Sequence, residues 1–225
     1  MNILIIGDET NFEECQLKFG KSHSYTTGKN QQESEKFFAK HDIIFDFTID
    51  EDRAQMEVYR DHPTATAFLN TAKINLAQLV GVVNHQIKCT LFGFAGLPTF
   101  LNREILETSL YKVDQETKLE EVCARLNTPF QIVDDRVGLV TPRVICMIIN
   151  EAYFTVQEGT AIREDIDMAM KLGTNYPFGP FEWCKKIGVR HVYELLESVY
   201  EDTKDERYKI CPLLKKEYLS LKYLL

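Results

Sequence analysis

Hydrophobic and polar positions follow two different rhythms along this chain. Up to about residue 134, short apolar runs alternate with polar stretches: residues 2–6, 42–47, 65–69, 89–94, 104–111 and 130–133 predict strands, and residues 31–40, 51–60, 74–83 and 115–126 predict helices. Strands separated by helix-length segments are the pattern of a parallel α/β sheet, whose strands are covered on both faces and read as continuous apolar runs. Beyond residue 134 the period lengthens to that of helices. Residues 140–157 are apolar around most of the circumference, as in a helix buried between neighbours. Residues 163–172 carry Glu164, Asp165 and Asp167 near the positive end of the helix dipole, with Gly173 expected as the C-cap and the carboxylates of Glu164 to Asp167 expected to cap the next helix; residues 181–187, 192–200 and 213–224 complete an all-helical half. The expected architecture is an α/β Rossmann-like domain with an abbreviated parallel sheet over residues 1–134, then an all-α domain over residues 135–225.

Composition narrows this picture. The 225 residues hold one large domain or two modest ones at about 150 residues per domain. A six-strand dinucleotide-binding sheet plus a second domain is cramped at that length, and residues 22–42 leave little room for a second strand and its flanking helices. Against 34 acidic residues stand 26 basic ones, a net charge of -8 with no concentrated basic face, which argues against a nucleic-acid partner. No run of 18 apolar residues offers a membrane span, and the opening MNILIIGDET reads as a first strand, not a signal peptide, so a cytoplasmic protein is expected. Cys15, Cys89, Cys123, Cys146, Cys184 and Cys211 form no CxxC pair and the five histidines show no i, i+4 spacing; buried thiols are expected, and no metal.

Gly7, at the end of the first apolar run, invites a dinucleotide reading, because the turn after the first strand of such a fold carries G-x-G-x-x-G. Here the second glycine is Glu9 and the third Phe12, and no acidic residue stands at the end of a second strand within residues 23–29. A carboxylate beside the pyrophosphate position repels it.

The stretch from Asp134 to Trp183, DDRVGLVTPRVICMIINEAYFTVQEGTAIREDIDMAMKLGTNYPFGPFEW, resembles the C-terminal helical domain of the 3-hydroxyacyl-CoA dehydrogenase family. That family shows D-x-x-G-F-[VI]-x-N-R, a helix ending in Glu-Ala, and then G-x-A-x-x-E-D-I-D-x-A-M-x-x-G-x-x-x-P-x-G-P. Gly138, Arg143, Glu151, Ala152, Gly159, Asp165, Ile166, Asp167, Ala169, Met170, Gly173, Pro177, Gly179 and Pro180 stand in register with it. The resemblance covers the C-terminal half well and the N-terminal half in outline. It implies NAD as cofactor, with Gly7 the remaining cofactor-binding position, oxidation of 3-hydroxyacyl-CoA in fatty-acid or butanoate metabolism, and a homodimer paired through the helical domain.

The family's reaction needs a histidine base opening an H-F-F-N-P motif, a glutamate that orients it, and Ser and Asn side chains on the substrate oxygens. In LFGFAGLPTFLNREILETSL, aligning Gly93 with the motif's glycine places Glu107 on the orienting glutamate and Ala95 on the histidine; the FAGL register places Pro98 there instead. Pro142 replaces the substrate-binding Asn, Ala72 replaces the Ser of the N-T-S-S stretch in Leu69-Asn70-Thr71-Ala72-Lys73, and the family's glycine-rich close has no counterpart in residues 212–225. His85 is the nearest candidate for a substitute base. Three functions stay open: a divergent 3-hydroxyacyl-CoA dehydrogenase; a catalytically inactive dimeric binding or regulatory protein, a pseudoenzyme, with an acyl-CoA or nucleotide ligand; and a different reaction in the same cleft.

Overall fold

The apolar runs of the first half assemble into one sheet covered on both faces. The computed structural model describes residues 1–83 and 86–222, in two units, Met1–Leu139 and Val140–Leu225. The first unit runs β1 (Asn2–Ile6), α1 (Glu9–Phe19), β2 (Ser24–Gly28), α2 (Gln31–Ser34) continued by a 3-10 helix (Glu35–Lys40), and β3 (Ile43–Asp46). A second 3-10 helix (Arg53–Tyr59), β4 (Thr66–Asn70), α3 (Leu76–Val80), β5 (Thr90–Phe94), β6 (Leu106–Leu110), α4 (Glu116–Leu126) and β7 (Phe130–Ile132) follow. The strand order is β2-β1-β3-β4-β5-β6-β7, with every neighbouring pair parallel except β5 and β6. Ile6, Asp46, Asn70 and Phe94 therefore end four neighbouring strands along one edge of the sheet.

Alternate residues of each strand feed two cores, as the two-residue period of a strand requires. Leu4, Ile6, Ile44, Ala67, Leu69 and Leu91 point to one face, and Ile3, Ile5, Phe45, Phe68 and Phe92 to the other. On that second face the ring centroids of Phe19, Phe45, Phe68 and Phe92 follow one another at 5.1, 4.9 and 5.1 Å, an aromatic ladder running across β3, β4 and β5.

Residues 22–42 do hold a second strand. β2 pairs with β1 over Ser24–Gly28 although its side chains are half-exposed and polar, because it is an edge strand with a single partner. Among the described residues seven strands are present, so the abbreviation lies in the connections: α2 is a single turn, the crossover after β3 is a 3-10 helix, and the segment expected over 74–83 forms helix only at Leu76–Val80. Met56 and Tyr59 of that crossover are fully buried, so it is a packed element where a polar surface helix was expected. Six free thiols are buried, as the sequence implied.

The second unit contains α5 (Thr141–Gln157), α6 (Arg163–Thr174), α7 (Pro180–Ile187), α8 (Val189–Thr203), a short 3-10 turn (Glu206–Tyr208) and α9 (Pro212–Lys222). Gly173 is not the C-cap of α6. The helix runs one residue past it to Thr174 and closes on Asn175 in the left-handed conformation at φ 56°, which Asn tolerates because its short amide bonds locally. The spaced motif in this region closes a helix junction. The Asp167 carboxylate on α6 accepts from the amides of Phe181 and Glu182 at 2.8 and 3.1 Å, capping α7, while Glu182 Oε2 accepts from Gly179 N at 3.0 Å. A Cβ on Gly179 would lie 2.3 Å from the Asp167 carboxyl carbon, so the glycine is required by that close approach. Tyr153 of α5 donates to Glu217 of α9 at 2.6 Å, and Arg163 pairs with the same carboxylate while lying over the Tyr153 and Phe181 rings at 5.2 and 4.9 Å.

Asp167→Ala leaves the first two free amides of α7 without a protein acceptor and is expected to lower stability by about 1–2 kcal/mol. Denaturant midpoints of the variant and the parent, compared at equal slope, measure this.

Candidate functional site

In an open parallel sheet the crevice beyond the strand C-termini, where successive crossovers leave in opposite directions, is the natural ligand site. Here that point lies between β1 and β3, which are sheet neighbours while β2 lies on the other side of β1. The edge is built largely around one side chain. Asn70, 2% exposed at the end of β4, donates through Nδ2 to Phe47 O at 3.1 Å and accepts at Oδ1 from Ala72 N and Gly96 N at 3.2 and 2.9 Å. It thereby ties together the chain leaving β3, β4 and β5. A Cβ on Gly96 would sit 2.8 Å from the Asn70 amide carbon, which fixes the need for glycine there.

The D-x-x-G run read from the sequence closes the same edge from the other side. Asp135 accepts from Leu76 N and Ala77 N at 2.9 and 3.0 Å, capping α3, and from Ser109 Oγ at 3.3 Å. Gly138, at φ +84°, donates to Ala72 O at 2.9 Å. Its positive φ is the reason for a glycine.

The turn after β1 is closed by the chain's own groups. Asp8 is the N-cap of α1: its Oδ1 accepts from Asn11 N at 3.0 Å, and Asn11 Oδ1 accepts from Asp8 N at 2.9 Å. A Cβ on Gly7 would meet Asn11 Oδ1 at 2.3 Å. The carboxylate at this helix start is thus Asp8, where the sequence pointed to Glu9, which is exposed; Phe12 instead packs edge-on against Tyr25 at 5.9 Å. β2 ends at Gly28, followed by Lys29 and by Asn30 as the cap of α2. The start of α1 therefore presents a negative charge and a filled amide, the opposite of what a dinucleotide pyrophosphate requires. These residues do not fit that group.

Glu107 lies half-buried on β6, paired in register with Gln131 and facing the Arg103 guanidinium, a charge it stabilises against burial. Continuing the β5–β6 register by one residue sets Glu107 opposite Ala95, the position matched to the family's base, where the side chain is a buried methyl. The segment that replaces H-F-F-N-P is clamped to α1: the buried Glu14 carboxylate accepts from Asn102 N at 3.2 Å, and Lys18 Nζ donates to Arg103 O and Glu104 O. Burial raises the Glu14 pKa and the backbone amides at Asn102, Thr99 and Leu101 pull it back. Pro142 occupies the first turn of α5, where its missing N–H leaves nothing unsatisfied. His85 lies outside the described residues.

Two buried carboxylates at the end of β3 were not singled out in the sequence. Asp46 is 0% exposed and fully coordinated: Gln31 Nε2 donates at 3.0 and 2.8 Å, Tyr59 Oη at 2.7 Å, Thr48 N at 2.9 Å and Thr48 Oγ1 at 3.2 Å. Burial pushes its pKa up against those donors. Asp50, its side chain 2% exposed, has no hydrogen bond at Oδ2 and faces Lys73 Nζ at 3.9 Å, beyond hydrogen-bond reach. Burial pushes the Asp50 carboxyl up to about 7, with Lys73 opposing the rise and Glu51 and Asp46 adding to it. Lys73 holds the last position of the stretch matched to N-T-S-S. The signal was present in DIIFDFTID: two acids four residues apart inside an apolar run must each find a donor.

Residues 138–223 match a family model described as the C-terminal domain of 3-hydroxyacyl-CoA dehydrogenase. The chain is 41% identical over 87 residues to 3-hydroxyadipyl-CoA dehydrogenase of Escherichia coli, covering 39% of this chain and 18% of that protein. It is 25% identical over 187 residues to 3-hydroxybutyryl-CoA dehydrogenase of Bradyrhizobium diazoefficiens, covering 78% of this chain and 62% of that protein. The matches thus span under two thirds of these curated relatives. The crystal structure of (S)-3-hydroxybutyryl-CoA dehydrogenase from Ralstonia eutropha superimposes with a TM-score of 0.71 at 18% identity, over 99% of this chain and 94% of that one, a likeness of fold.

Native Asp50 holds its proton up to about pH 7, whereas the unfolded side chain releases it near 3.8. Between those values the folded state binds the extra proton, so this group's contribution to stability is fully present below pH 3.8 and is lost as pH rises through about 7, a change on the order of 4 kcal/mol. Asp50→Asn is expected to flatten the fall in Tm between pH 5 and pH 8 by several degrees. Parallel Tm profiles for the variant and the parent would contradict the assignment.

Proposed function

We propose that this chain, which belongs to the 3-hydroxyacyl-CoA dehydrogenase family, is a cytoplasmic, homodimeric binding or regulatory protein that does not perform NAD-dependent hydride transfer with the family's residues. The closed start of α1 carries this reading. The Asp8 carboxylate and the Asn11 amide occupy the backbone groups on which a dinucleotide pyrophosphate would rest. A methyl at Ala95 in place of the base supports it, because a buried alanine accepts no proton from a hydroxyl. No helix among the described residues is long and apolar enough to cross a membrane.

Exposed apolar side chains on the second unit support the homodimer. Val140 and Val144 stand one turn apart at the start of α5, each 52% exposed; Met168 and Leu172 stand one turn apart on α6 at 56% and 81%, with Ile162 at 60% just ahead of it. Apolar side chains exposed one turn apart on a helix suit an interaction face. A second reading, an active 3-hydroxyacyl-CoA dehydrogenase using NAD, is favoured by Glu107, which keeps the orienting position next to Ala95 and needs only a substitute base such as His85.

With NAD and 3-hydroxybutyryl-CoA, or NADH and acetoacetyl-CoA, the purified protein should show negligible turnover, and NADH should leave Tm unchanged while an acyl-CoA raises it. Robust turnover abolished by His85→Ala establishes the second reading instead. Leu172→Glu should shift the sedimentation coefficient from dimer to monomer; a parent protein that sediments as a monomer refutes the pairing.

A further inference from the structure

Between β5 and β6, residues 97–104 cross from the C-terminal edge of the sheet to α1 and carry costs that the neighbouring strands do not. Residues 97–100 form a turn closed by Phe100 N donating to Leu97 O at 3.1 Å, with Pro98 and Thr99 as its central pair. Thr99 has φ +76°. Proline followed by a positive φ is the arrangement of a type II turn, whose third position takes Gly, which has no Cβ to crowd, or Asn, which tolerates the left-handed region. A β-branched side chain there is strained. Its Oγ1 is also buried with no hydrogen-bond partner, and so is Nε of Arg103, whose guanidinium rests on the Phe100 ring at 4.7 Å.

Against these costs stand three buried side chains, Leu97, Phe100 and Leu101, and two fastenings to α1. Glu14 accepts from Asn102 N at 3.2 Å, and Lys18 Nζ donates to Arg103 O and to Glu104 O. Burial pushes the Glu14 carboxyl up and the Lys18 ammonium down, so each fastening holds its charge at a cost. At either end the segment meets a fixed point: Gly96 N on Asn70 Oδ1 at 2.9 Å before it, and Leu106 N on Pro129 O at 2.9 Å after it.

We propose that residues 97–104 are a strap held closed under strain, which opens from α1 as one unit about those two points while the sheet stays folded. Closing sets Leu101 in the core cluster with Phe45, Phe47, Phe92 and Phe94, and opening withdraws it, so the strap switches the crevice end of β5 between a covered and an uncovered state. A strained residue survives where its surroundings over-determine it, and here they are two side chains of α1, not a ladder of strand hydrogen bonds. Release removes the costs of the Thr99 backbone, of its hydroxyl and of Arg103 Nε together, which sets this segment at the low end of local opening free energies. Strap opening is a property of the fold and is independent of the function proposed above.

Hydrogen exchange followed by NMR on the full chain reads the opening directly. The amides of Phe100, Asn102 and Arg103 are bonded within the strap or to Glu14. They should share one opening equilibrium, exchange on the order of a hundredfold faster than the amides of β1 and β4 after correction for intrinsic rates, and respond little to added denaturant. Thr99→Gly should slow the three amides about tenfold and raise Tm, because glycine takes the positive φ without strain and leaves no hydroxyl to bury. Lys18→Met, which removes one fastening, should speed them about tenfold. Exchange of the three amides at the rate and denaturant dependence of β1 and β4 overturns the strap, and so does a Thr99→Gly protein in which they are not slowed or a Lys18→Met protein in which they are not speeded. NAD-dependent turnover would overturn the function proposed above and leave the exchange pattern untouched.

Discussion

The three hydrogen bonds of the Asn70 amide hold the C-terminal edge of the sheet, and the rest of the first unit is arranged to keep them. One planar group reaches the chain leaving three parallel strands only if those strands end level. The register does this by pairing Asp46 with Leu69 and Asn70 with Phe94. It also requires that nothing intrude, hence Gly96 against the Asn70 carbon and Gly93 against the hydroxyls of Thr71 and Ser109. Asp135 and Gly138 then hold the loop after β4 by its carbonyl at Ala72 and by the start of α3. The D-x-x-G run is therefore the far end of a clasp whose near end is Asn70.

The same edge explains why the cofactor end is closed. Every helix that starts there brings unsatisfied amides, which in a dinucleotide-binding turn are left for the phosphates. In this chain side chains have taken them: Asp8 and Asn11 at α1, Asn30 at α2, Asn75 together with Asp135 at α3. Caps of this kind stabilise the helices by about 1 kcal/mol each and need no ligand. Helix starts completed by side chains in this way do not depend on a bound anion for their caps.

How much of this was legible depended on whether a signal was local. Continuous apolar runs gave six of the strands because burial on both faces leaves a mark on every residue. β2 was missed because an edge strand with half-exposed Thr26, Thr27 and Tyr25 carries no such mark; only its backbone pairing with β1 defines it. The motif in the helical half was legible as spacing and as carboxylates that cap the next helix; which of them does so, Asp167 on α7 across Gly179, needed the close approach of two helices to become visible. Glu9 was read as the obstructing carboxylate from its place in the glycine pattern, whereas the capping geometry selects Asp8, since the residue just before the first helical turn is the one whose side chain turns back onto the amides.

Asp46 and Asp50 show where a site becomes legible only through what is missing. Both lie at the end of one strand and both are buried, so position and burial do not tell them apart. Coordination does. Asp46 joins β3 to α2 and to the 3-10 crossover by four partner atoms from three residues, and that closed set leaves it nothing further to bind. Asp50 joins nothing by hydrogen bond at Oδ2 and leans on a single ammonium at a distance where Coulomb attraction remains but directional bonding has gone. A group in that condition costs stability in the folded state. Burial accordingly pushes the Asp50 carboxyl up to about 7, with Lys73 opposing the rise, whereas the donors around Asp46 make it a structural joint.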